Sequence, residues 1–207
     1  MDSAPSRSSR DQRPVYLPSD THRRVKILVA GPLGIGKTTV IRTLSEIETL
    51  HTDEVMTDAA AGADHLAPDG QAKRTTTVAI DFGRLTLPAP ADIMLYLYGT
   101  PGQRRFLPLW EDIALGALGA LVLVDTRRLD ESFEVMDLIE ERGLDYAVAV
   151  NQFPSSPDYN LETLRSKLDL DEHTPLVTCD ARDKNSSLDA LIALSAHLVS
   201  RAGAEPS

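Results

Sequence analysis

Apolar positions along the chain follow two periods. Short, dense apolar runs recur as "VKILVAG" (25–31), "TVAIDFGRLTL" (77–87), "DIMLYLYG" (92–99), "GALVLVD" (119–125), "DYAVAVN" (145–151) and "PLVTCD" (175–180). Their length and β-branched content predict strands, most of them buried on both faces. Between the runs, apolar residues return every three or four positions. Val40, Ile41, Leu44 and Ile47 predict a helix over 38–50, and further helices are expected near 103–117, 131–142, 160–168 and 186–202. Strands separated by helices imply an α/β fold with a doubly wound, mostly parallel sheet. Only "PAPA" separates the runs 77–87 and 92–98, which is too short for a crossover, so one strand there is expected to run antiparallel. Residues 51–74 hold several Asp, Ala and Gly with no strong period, and no internal repeat is found.

The flanks and the charge narrow the picture. A chain of 207 residues suits one domain, placed at 24–202, with tails at 1–23 and 203–207. The first tail is polar, rich in Pro, Ser and Arg, and is read as largely disordered, with a docking arm as the alternative. A formal net charge of −10 counts against a nucleic-acid surface or a polybasic membrane patch. Cys179 is the single cysteine, so no intramolecular disulfide is possible. A reducing, cytoplasmic setting fits. No run approaches the ~18 apolar residues of a membrane span. Asp2 excludes N-myristoylation, and "GAEPS" is no prenylation box. Membrane recruitment is therefore expected only through a partner.

The strongest chemical signal is "VKILVAGPLGIGKTT". A strand run ends at Gly31, and G-x-x-x-x-G-K-T follows: Gly31, Pro32, Leu33, Gly34, Ile35, Gly36, Lys37, Thr38, with Thr39 next in a helical pattern. This order suits a phosphate cradle. The glycine turn aims backbone N–H groups at phosphate oxygens, and the helix N-terminus adds its dipole. Lys37 would reach the β- and γ-phosphates, and the Thr38 hydroxyl would bind Mg²⁺. The P-loop does not by itself distinguish switch GTPases, ATPases and nucleoside kinases. "LYLYGTPGQRRF" (95–106) follows a strand whose end would face the γ-phosphate. There Gly102 would offer its N–H, and Gln103 would orient an attacking water. A plain Gly/Pro turn is the alternative.

"GPLGIGKTT", "TTTVAIDFG", "YGTPGQRRF", "LVLVDTRR", "AVAVNQF" and "CDARD", in this order and spacing, resemble the Ras-like GTPases of bacterial conservons, the multi-gene signalling operons of actinobacteria. That group is similar to the gliding-motility (Mgl-type) GTPases. The resemblance covers roughly residues 24–200, and "SEIETLHTDEVMT" (45–57) shares it. It implies a Ras-like P-loop NTPase that binds Mg²⁺ and GTP or GDP, hydrolyses GTP slowly and acts as a signalling switch. By resemblance, Thr77 matches the switch I threonine that closes on Mg²⁺, with Thr75 and Thr76 close by. Gln103 matches the water-orienting glutamine, and Asn151 the base-pocket asparagine. Asp180, Ala181 and Arg182 match the short loop behind the base, with the Ala181 N–H toward guanine O6. The implied partners are a roadblock/LC7-type protein and a sensor-kinase-like membrane protein.

Three positions depart from the Ras pattern. Gly99 stands where a D-x-x-G aspartate would hold Mg²⁺ through water, which should weaken the cation site. Leu33 stands where Ras-type proteins often have glycine, and slow hydrolysis is expected. Pro154 stands where an aspartate would accept from guanine N1–H and the 2-amino group, so base discrimination should drop. Asp158 and Asp180 are candidate substitutes. Arg74 is either an arginine finger in cis or a solvated arginine. Asp81 is either solvent-facing by alternation or an organiser of switch I. Trp110, with Phe106, Leu107 and Leu109, either packs a helix on the sheet or forms a partner surface. The five His have no metal spacing. A nucleotide-binding scaffold with little hydrolysis and relaxed GTP/ATP selectivity is the alternative function. A small ATP-dependent kinase would need an arginine-bearing lid, which 51–74 does not supply.

Overall fold

The computed structural model describes residues 23–57, 75–88, 91–102, 107–154 and 156–204. Seven strands form one sheet: β1 (Arg23–Ala30), β2 (Leu50–Thr57), β3 (Thr75–Leu87), β4 (Ile93–Gly99), β5 (Ala117–Val124), β6 (Tyr146–Asn151) and β7 (Leu176–Cys179). Among the described residues five helices join them: α1 (Lys37–Leu44), α2 (Leu107–Ala114), α3 (Asp130–Glu140), α4 (Leu161–Lys167) and α5 (Lys184–Ala204). The strand order is β2-β3-β4-β1-β5-β6-β7. β1 runs parallel to β4 and β5, and the parallel pairing continues through β6 to β7. β3 alone runs against the rest, antiparallel to both β2 and β4.

The alternation of side chains along the strands divides the core in two. On one face Val40, Ile41 and Leu44 of α1 and Ala190, Leu191, Leu194 and Leu198 of α5 meet Ile27, Val29, Leu121, Leu123, Ala147 and Ala149. On the other, Trp110 and Ile113 of α2, Val135, Met136 and Ile139 of α3, and Leu164 of α4 meet Leu28, Val122, Val124, Val148 and Val150. The chain crosses β1 to build the sheet outward in both directions. Its C-terminal edge there is the switch point where doubly wound sheets bind ligands.

Two elements differ from the sequence expectation. The helix expected over 38–50 ends at Leu44, because Ser45 turns extended (φ −67°, ψ 135°). The Ser45 hydroxyl accepts from the Arg84 N–H (3.2 Å), and Glu46 binds Arg84 (2.7 Å) and Thr86 (2.7 Å) on β3. These tertiary bonds outweigh the helical spacing that Ile47 continues. The released chain forms β2, a strand missed because "LHTDEVMT" has no clean apolar face. As an edge strand it has a neighbour on one side only, so little burial is asked of it. The antiparallel pairing across "PAPA" is present, with Phe82 opposite Tyr98 and Leu87 opposite Ile93. Among the described residues, no helix is long and apolar enough to cross a membrane.

Candidate functional site

The loop after β1 closes over the sheet's C-terminal edge. Gly31 lies under the Leu123 carbonyl, which a Cβ would approach to 2.6 Å. Gly36 takes φ +109° as the N-cap of α1, a conformation that L side chains rarely adopt, and a Cβ there would lie 2.7 Å from Asn151 Nδ2. No side chain caps α1 and no acidic residue occupies its first turn. Its free N–H groups and dipole are thus available to an anion. Leu33 and Gly34 are exposed at the lip, and Ile35 is fully buried beneath. Thr39 is half-buried in the first turn of α1.

Lys37 folds back over the loop and donates from Nζ to the Gly31 and Pro32 carbonyls, both at 2.7 Å. Burial pulls its ammonium down to about 8, against the opposing pull of Asp81. A lysine so desolvated gains from an arriving phosphate. Beside it the Thr38 hydroxyl donates to Asp81 Oδ2. Asp81 is 7% exposed, so the solvent-facing position expected from alternation is not the one it takes; burial places it beside the P-loop helix.

Gly99 ends β4 directly opposite Asp81, one step beyond the Phe82–Tyr98 pair. A Cβ at Gly99 would lie 3.1 Å from Asp81 Cβ and 3.2 Å from Ile41 Cδ1. Gly102 packs on the P-loop backbone, where a Cβ would come within 2.6 Å of the Leu33 nitrogen. Trp110, buried at 2% exposure, donates its indole N–H to the Pro101 carbonyl at 3.2 Å. It packs α2 on the sheet and ties that helix to the glycine-proline loop. Gln103 and Phe106 lie outside the described residues, as does Arg74. Thr77 sits on β3 opposite Val55. Four residues of strand rise put it ~13 Å from Asp81, so the structure does not bring Thr77 to Thr38.

On the far side, Asn151 is a brace. Its Nδ2 donates to the Ile35 carbonyl (2.8 Å), and its Oδ1 accepts the Ala181 N–H (3.0 Å). The N–H expected at guanine O6 is therefore held by Asn151. The Asp180 carboxylate accepts from Arg182 Nε (2.9 Å), Nη2 (2.8 Å) and backbone N–H (2.9 Å), and these bonds hold it below the usual carboxylate range. Asp180 thus turns to Arg182 rather than taking up the acceptor role missing at Pro154. Asp158, with Asn151, Phe153 and Tyr159, lines a hollow of about 240 Å³. Sequence reasoning gave no role to Asp125, whose side chain is 1% exposed. Arg127 binds it at 2.6 Å and stacks 4.2 Å over the Phe153 ring, while Arg128 reaches the Leu33 carbonyl at 3.5 Å. The "DTRR" run carried the signal: an acid at a strand end followed by two arginines.

A glycine turn, Lys-Thr at a bare helix N-terminus and a switch-point edge define a nucleotide-binding P-loop protein. The chain belongs to the family described as "Conserved hypothetical ATP binding protein", whose model matches residues 29–201. An uncharacterized protein of Methanocaldococcus jannaschii is 29% identical over 130 residues, covering 62% of this chain and 70% of its own. Among solved structures, the FeoB G-domain from Methanococcus jannaschii matches with a TM-score of 0.56 at 13% identity. That match covers 86% of this chain and 99% of the G-domain, and it is a likeness of fold.

Proposed function

We propose that this protein is a slow, Ras-like GTPase that works as a nucleotide-dependent switch. The observation that carries the reading is the constellation at the mouth of the loop. A desolvated Lys37 and the Thr38–Asp81 pair stand at a helix N-terminus free of side-chain caps. Phosphate oxygens would displace the Gly31 and Pro32 carbonyls as partners of Lys37 or share it with them, and the loop N–H groups would hold the β-phosphate.

The donor set fits Mg²⁺. Among the described residues there is no cluster of three His, Cys, Asp or Glu, but Mg²⁺ does not require one. It keeps several waters and takes one or two protein oxygens plus phosphate oxygens. The Thr38 hydroxyl would be the protein ligand, and Mg²⁺ would neutralise charge between the β- and γ-phosphates. Gln103 would place the water, and Thr77 would join the cation after its segment moves. Leu33 at the exposed lip and the position of Thr77 four residues up β3 from Asp81 support slow turnover without a partner. A roadblock/LC7-type protein as activator and a sensor-kinase-like membrane protein as recruiter belong to this proposal.

The second reading is a binder with relaxed selectivity that also takes ATP. Pro154 favours it, because its side chain offers no acceptor to a guanine edge, and so does the family's description as ATP-binding. Single-turnover assays with GTP and with ATP, with and without a roadblock partner, test the enzyme. Phosphate release from GTP supports it. No release under any condition leaves only a scaffold.

A further inference from the structure

We propose that the acidic residue of the cation site has moved from β4 to β3: Asp81 supplies the carboxylate that Gly99 lacks. The inference rests on the phosphate-loop reading and deepens it. Three observations converge. Asp81 is buried, yet it interrupts an apolar strand, and a carboxylate is placed there at a cost unless it is paired. It accepts from the hydroxyl of Thr38, the residue after the P-loop lysine. The space opposite it is tight for a second side chain, since a Cβ at Gly99 would press on Asp81 Cβ at 3.1 Å and on Asp81 Oδ2 at 3.3 Å. Ordinary cross-strand Cβ atoms stay ~4.5–5.5 Å apart. One carboxylate fits between β3 and β4, and this chain carries it on β3.

The placement has a chemical consequence. The carboxylate reaches the same Thr38 hydroxyl that would face the cation, and it adds negative charge near Lys37. It would orient that hydroxyl, or a water on the ion, as groups behind metal ligands do. Removal of such partners typically costs 10- to 100-fold in metal affinity. The absence of D-x-x-G is then a relocation rather than a loss, and the cation site is stronger than Gly99 alone suggests.

The test uses the full chain and reads nucleotide retention rather than turnover. Affinity for GDP is measured by equilibrium titration in excess EDTA and along a Mg²⁺ series. For the wild type, Mg²⁺ should tighten GDP binding. In Asp81→Asn, which keeps volume and fold, the Mg²⁺ concentration for half of that effect should rise at least tenfold, with little change in EDTA. Gly99→Asp alone should lower the melting temperature. Gly99→Asp combined with Asp81→Gly should restore the Mg²⁺ response that Asp81→Gly lacks. An unaltered Mg²⁺ response in a folded Asp81→Asn overturns the inference and leaves the nucleotide reading standing. If the wild type binds no nucleotide at all, the nucleotide reading fails first, and this inference with it.

Discussion

At the residue scale, Lys37 couples the site to protons. Its ammonium is held to about 8 by burial, against 10.5 for a free lysine. Between those values the unfolded chain keeps a proton that the folded chain has lost. The unliganded protein should therefore gain stability as pH rises from about 8 toward 10.5, and should bear the full desolvation cost below about 8. A bound phosphate reverses this by favouring the charged lysine. Nucleotide binding should take up a fraction of a proton that grows between about pH 7 and pH 9, with affinity falling over the same interval. Calorimetry in two buffers of different ionisation heat reads the uptake, and Lys37→Met should abolish it. Asn151 makes a different prediction. Asn151→Ala strands two buried backbone groups, at Ile35 and Ala181, each worth about 1–3 kcal/mol. Urea denaturation should show a clear loss of stability, because the side chain is a structural brace before it is a base contact.

At the element scale, what the chain's pattern could show depended on how local the cause was. The strands β1 and β4 to β7 were legible because both faces are buried and the runs are dense. Helix α1 was read six residues too long. Ser45 and Glu46 end it through bonds to β3, almost forty residues away, and no local spacing encodes that. β2 was missed for the opposite reason: as an edge strand it takes its order from pairing with β3, and its own residues show no clean apolar alternation. In the site, the glycine turn, Lys37 and Thr38 were legible because a fixed spacing encodes them. Asp81 was not, because alternation pointed it to solvent and only tertiary packing places it on Thr38. Helix α2 carries a testable link. Trp110 is the single tryptophan of the chain and binds the Pro101 carbonyl. Trp110→Phe should cost about 1 kcal/mol from that bond alone. In the wild type, indole fluorescence should change when nucleotide and Mg²⁺ together rearrange the loop after β4. A flat signal would place α2 outside the switch.

At the scale of the whole molecule, the doubly wound sheet brings one edge together from four separate segments: the P-loop, the β3–β4 pair, the end of β6 and the loop after β7. The phosphate side of that edge is built from short-range sequence. The proposed base side carries Asn151, Ala181 and Pro154, and selectivity is decided there. Pro154→Asp should raise the preference for guanine, because it returns an acceptor to the loop beside Asn151. The most direct test of the account is a competition titration of GDP against ADP on the full chain with Mg²⁺. Both should bind, and GDP more tightly, by a margin below the ~10⁴–10⁵ of a site with its full set of polar contacts. Equal affinity, or a preference for ADP, would contradict the guanine reading, and failure of either to bind would contradict the nucleotide reading itself.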